Sequence, residues 1–105
     1  MDYINRTMHL ATEIDYAPGS TVSKIIYKTE HTILTLFSMD EGQSIAEHLT
    51  PFEAMVQILD GEAEIIIGGK TTVVKTGETI IMPANVPHAL YARQRYKKLL
   101  VMMKP

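Results

Sequence analysis

Two stretches decide the fold. The first is Gly42-Gln43-Ser44-Ile45-Ala46-Glu47-His48-Leu49-Thr50-Pro51-Phe52-Glu53-Ala54-Met55-Val56-Gln57-Ile58-Leu59-Asp60-Gly61. The second is Gly77-Glu78-Thr79-Ile80-Ile81-Met82-Pro83-Ala84-Asn85-Val86-Pro87-His88-Ala89-Leu90-Tyr91-Ala92. Each opens on a glycine and runs through a short, β-rich segment to a histidine. His48 and His88 each read as the start of a strand. In an all-β chain this short, such placement implies that both imidazoles meet inside one barrel.

Outward from these stretches, strand-sized runs recur with regular punctuation. Val22 to Lys28, Ile33 to Met39, Met55 to Leu59 and Glu62 to Ile67 are rich in β-branched or aliphatic residues. Gly68-Gly69 reads as a tight hairpin turn, since two successive glycines admit positive φ at both central positions. Thr71 to Lys75, Thr79 to Met82, His88 to Arg93 and Lys98 to Met103 complete the series. Pro83 and Pro87 fix φ, and Asn85 tolerates a left-handed conformation, so the segment between them reads as an ordered turn. Tyr3 to Ala17 holds apolar residues without a clean period and reads as an edge strand, a short helix or an arm across a partner. The expectation is residues 21–105 as one barrel, with residues 1–20 as an N-terminal arm or edge strand.

Several strands are apolar on both faces, Ile65-Ile66-Ile67 and Leu99 to Met103 above all. One face fills the barrel. The other needs cover, and a second subunit is the expected source, giving a homodimer. An arm reaching across to the partner is one way to build it.

Composition narrows the function classes. The chain has 105 residues, enough for one domain. Its apolar fraction of 46% supports a real core. Ten basic against twelve acidic residues give a net charge of −2, which argues against a nucleic-acid or membrane-surface partner. There is no cysteine, hence no thiolate metal site and no cysteine nucleophile. The N-terminal residues lack the apolar run of a signal peptide, so a cytoplasmic location is expected. The basic run Arg93-Gln94-Arg95-Tyr96-Lys97-Lys98 reads as a solvated turn between the last two strands. His9 and His31 have no motif around them and read as surface groups. The glycines build no phosphate loop, because no helix pattern follows them.

The two opening stretches resemble the paired motifs of the cupin superfamily. The first cupin motif runs from a glycine to a His-x-His pair, then a glutamate, then a second glycine. Gly42, His48 and Gly61 match it. Thr50 stands where the second histidine would be, and Ala54 where the glutamate would be. In the second motif Gly77, Pro83 and His88 match, while Asn85 and Ala92 depart. The resemblance implies an all-β, cupin-type double-stranded β-helix, or jelly-roll, barrel. It is closest to small "cupin 2" domains carrying a His-x-x-Pro-Phe variant.

The family's usual centre holds a divalent metal on three histidines and one glutamate. Only His48 and His88 carry over. Two imidazoles are fewer protein ligands than stable zinc or non-heme iron sites employ. The cofactor expectation is therefore none, or a weakly bound divalent transition metal such as Zn, Ni, Fe, Mn or Cu. Strand alternation turns Glu47 and Glu53 away from the histidines. The methionines, seven in all, read as core filling.

Taken alone, an inward histidine can satisfy both ring nitrogens with backbone or water. Within the motif, His48 and His88 point to a pocket. The expected ligand-binding set is His48, Thr50 and His88, with Gln57 as a further wall residue. Two function classes follow: a small-molecule-binding barrel with a largely apolar cavity, or a metal-dependent dioxygenase or isomerase holding its ion on His48 and His88.

Overall fold

The computed structural model describes residues 3–105. The first two residues of the expected N-terminal arm lie outside that range. Among the described residues nine strands form: β1 (Thr21–Lys28), β2 (Thr32–Met39), β3 (Ser44–His48), β4 (Glu53–Asp60), β5 (Glu62–Ile67), β6 (Lys70–Lys75), β7 (Thr79–Met82), β8 (His88–Tyr91) and β9 (Tyr96–Met103). All pairings are antiparallel. One sheet has the order β1-β2-β9-β4-β7 and the other β3-β8-β5-β6. Neighbouring strands far apart in sequence, such as β2 and β9, are what a jelly roll requires. The barrel reading of the sequence holds.

The turns form for the reasons the residues supply. Gly68 and Gly69 both have positive φ, as a two-residue hairpin needs. Asn85 sits in the left-handed region between its two prolines. Gly61 is the most constrained glycine. Its φ is positive, and a side-chain carbon there would collide with the Arg95 carbonyl.

Strand alternation places the core. On β4, Ala54, Val56 and Ile58 point inward and are buried. They meet Ala63 and Ile65 of β5, Val74 of β6 and Tyr96 of β9 in one cluster. A fully buried aliphatic side chain of this kind contributes about 1.5–3 kcal/mol.

A second cluster lies outside the barrel wall. Tyr3, Met8, Leu10 and Ile14 of the arm pack on Leu34, Leu36, Leu59 and Leu99. The arm carries one 3₁₀ turn, Leu10–Thr12. It is tied down by polar contacts as well: Ser38 Oγ donates to the Asp15 carbonyl at 2.8 Å, and Lys97 Nζ to the Ala11 carbonyl at 2.6 Å. The apolar outer face of β2 and β9 is therefore covered, in part, by the chain's own N-terminal segment. No helix among the described residues is long and apolar enough to cross a membrane.

The last strand begins earlier than its hydrophobic run implies. Tyr96, Lys97 and Lys98 belong to β9, and Tyr96 and Lys98 are buried. The solvated-turn reading holds only for Arg93, Gln94 and Arg95, which are exposed.

Candidate functional site

The cavity at one end of the barrel grows out of local strand geometry. His48 closes β3 rather than starting a strand, whereas His88 opens β8 as expected. The two are direct partners across the β3–β8 pair. Ile45 and His48 lie three positions apart, so a regular strand would point them to opposite faces. A register irregularity between them corrects this, and both face the cavity. The same irregularity leaves Glu47 exposed.

The imidazole rings stand edge to face, 4.3 Å between centroids and 65° between planes. His88 is buried at 4% exposure, while His48 is exposed at the mouth. His48 Nδ1 lies 2.8 Å from the Ala46 carbonyl and His88 Nδ1 3.4 Å from the Val86 carbonyl. A carbonyl can only accept, so Nδ1 is the protonated nitrogen in each contact. Burial holds His88 below its usual pKa, and the neighbouring His48 and Lys98 add to that effect. In the neutral ring Nε2 is then a lone pair available to a ligand.

Thr50 lines the same cavity, and its hydroxyl donates to the Phe52 carbonyl at 2.9 Å. The Asn85 amide donates to the Thr50 carbonyl at 2.8 Å, which pins the Pro83–Pro87 turn to the other lip of the mouth. Most of the remaining wall is apolar, Ala54, Met82, Leu90, Leu100 and Met102 among it. The cavity volume is about 110 Å³. That is room for a compact molecule of a few non-hydrogen atoms.

Two expected or unexpected residues complete the account. Gln57 does not reach the cavity: it alternates with inward Val56 and Ile58 on β4 and therefore faces outward. Lys98 does reach it. Its side chain points inward from β9, between Phe37 of β2 and Ile58 of β4, and is 2% exposed. Its Nζ stands 4.6 Å from the centre of the Phe37 ring. Among the described residues, no carboxylate lies in ion-pair contact with it. Desolvation brings its pKa down to about 7. A period-2 count along β9 would have found it, since Lys98 shares the inward face with Leu100 and Met102.

The donor set bears on metal binding. Among the described residues no three His, Cys, Asp or Glu side chains converge to hold an ion. Glu53 is exposed on the far side of β4's alternation, and Ala54 presents only a methyl group to the cavity. A buried cationic amine close to two imidazoles further disfavours a divalent ion. The residues present do not fit a resident metal.

Comparison with known proteins places this geometry. Residues 35–102 match the cupin domain family model. A conserved protein of unknown function from Streptococcus pyogenes is 40% identical, with a TM-score of 0.91, over 96% of this chain and 89% of that one. A cupin 2 conserved barrel domain protein from Leptotrichia buccalis is 37% identical with a TM-score of 0.87. That match covers 90% of this chain and 46% of the other. A cupin superfamily protein from Desulfitobacterium hafniense shares the fold at 24% identity and a TM-score of 0.90, over 96% and 93% of the two chains. No curated protein matches. With residues 35–102 matching that family model and Gly42, Gly61, Gly77, Pro83 and the His48–His88 pair in their motif positions, the chain belongs to the cupin family.

Proposed function

We propose that this cupin binds a small organic molecule in the cavity behind His48, and that it does so without a resident metal. One observation carries the reading. The two imidazoles share the wall of a small, mostly apolar chamber, and the positions that would complete a metal centre are a hydroxyl and a methyl group. Apolar walls with a few convergent polar groups are the usual make-up of a ligand site. His88, Thr50 and Lys98 would orient the guest, and His48 would guard the entrance.

Metal analysis of the purified protein after dialysis against a chelator tests this. The expected content is well below one ion per chain. Stoichiometric metal surviving that treatment would overturn the reading and favour a metal-dependent enzyme.

We also infer that the barrel self-associates as a homodimer. The arm leaves uncovered an outer row on the five-stranded sheet. Met55 pairs with both Ile81 and Val101 across that row, and Ile81 is 60% exposed. Met103 extends the row at the sheet's end. An apolar strip on a sheet face is the kind of surface a symmetric partner buries.

A further inference from the structure

Lys98 is the group in this molecule that the barrel does not explain. A lysine near a surface keeps its ammonium in water by stretching along the wall. Lys98 has no such route along the outer wall, because β9 lies in the middle of its sheet, flanked by β2 and β4, and its only outlet is the cavity. Its side chain is directed into the cavity and 2% exposed. The titratable groups facing it across the cavity are His48 and His88, both basic. Among the described residues, no Asp or Glu lines the chamber. The Phe37 ring face offers the amine a partial counterpart only. Every described ionisable group lining the space is thus a base, and apart from the Thr50 hydroxyl the rest of the wall is apolar.

We propose that the cavity receives a compact monocarboxylate, whose anionic end meets the Lys98 amine at the inner wall and whose body packs on Leu100, Met102 and Met82. This rests on the reading of the cavity as a ligand site. The chemistry is complementary: an anion beside the amine favours its protonated form and gives it the charged hydrogen-bond partner that the described wall lacks. The volume of about 110 Å³ limits the guest to a short chain. At the other end, the Nε2 lone pair of neutral His88 accepts a hydrogen bond, which suits a hydroxyl on the same guest.

Lactate and its uncharged isostere lactamide separate charge recognition from simple filling of the cavity. Titration of each into the full chain, followed by NMR of the His88 ring protons, reads occupancy directly. Lactate is expected to shift those signals and to bind at least tenfold more tightly than lactamide. In Lys98→Met the two should bind alike. If lactamide matches lactate in the unaltered protein, the carboxylate proposal fails while the ligand-site reading stands. If neither compound moves the His88 signals at high millimolar concentration, both fail. The lactate–lactamide comparison needs no variant, so it decides the matter even if Lys98→Met misfolds.

Discussion

Tyr96 and Lys98 sit two residues apart on the same strand and point the same way, yet they belong to different worlds. Tyr96 is wholly buried in the closed end of the barrel, and its hydroxyl donates to Met39 Sδ at 2.8 Å. It belongs to the same buried cluster as Val56, Ile58, Ala63 and Ile65. Lys98 is almost as deeply buried, but its amine faces a cavity, beside the Phe37 ring and with no ion-pair partner among the described residues. One residue repays its burial with packing. The other is desolvated with no ion-pair partner among the described residues, which is what holds its pKa down. The contrast teaches where the barrel keeps its strength and where it gives strength up, which is the usual trade at a functional site.

The comparison can be broken from either side. Tyr96→Ala should have the largest effect, a loss of about 3–5 kcal/mol in urea unfolding, because it empties the closed end. A loss under about 1 kcal/mol would mean the core is elsewhere.

Lys98→Met should act in the opposite direction, stabilising the protein by about 2–4 kcal/mol at pH 7. The sign has a pH signature. The Lys98 pKa falls from 10.5 in the unfolded chain to about 7 in the barrel. Between those values the unfolded state holds a proton that the folded state lacks. Stability of the unaltered protein therefore rises with pH across that window, by about 1.4 kcal/mol per pH unit from this one group. It is lowest below about pH 7, where the charged amine must be buried. The advantage of Lys98→Met should shrink as pH climbs from 7 towards 10, measured by parallel unfolding curves. A constant gap would show that Lys98 is already satisfied.

The smallest effect on stability is expected on the outside of the wall. Ile81→Lys should change unfolding free energy by about 0.5 kcal/mol or less, since the side chain is exposed. In light scattering it should convert a dimer to a monomer. An unaltered protein that is already monomeric at high micromolar concentration would remove the homodimer proposal.

Much of this arrangement was readable from the chain. The Gly68-Gly69 turn, the Asn85 turn and the β5 and β7 boundaries follow from local chemistry that no tertiary contact overrides. The His48–His88 pair followed from motif spacing. The misreadings share a cause. At Gln57 and Lys98 the residue type and its neighbours point one way, and the face of the strand each occupies points the other. Their burial depends on the inward phase set by Val56 and Ile58 in one case, and by Leu100 and Met102 in the other. The bulge before His48 hides a face change that no simple alternation predicts. The arm was ambiguous because Tyr3, Met8, Leu10 and Ile14 follow neither a helical nor a strand period. They are spaced to fit a pre-existing surface.

The cross-strand partnership of His48 with His88 carries one more consequence. Because both rings ride on adjacent strands of one sheet, hydrogen bonding holds their backbones about 5 Å apart. Lys98 rides on the opposite sheet, across a gap of about 10 Å filled only by side chains. A guest bound as proposed would therefore be measured between a hydrogen-bonded imidazole pair on one sheet and an amine carried by the facing sheet, a calliper with one fixed jaw.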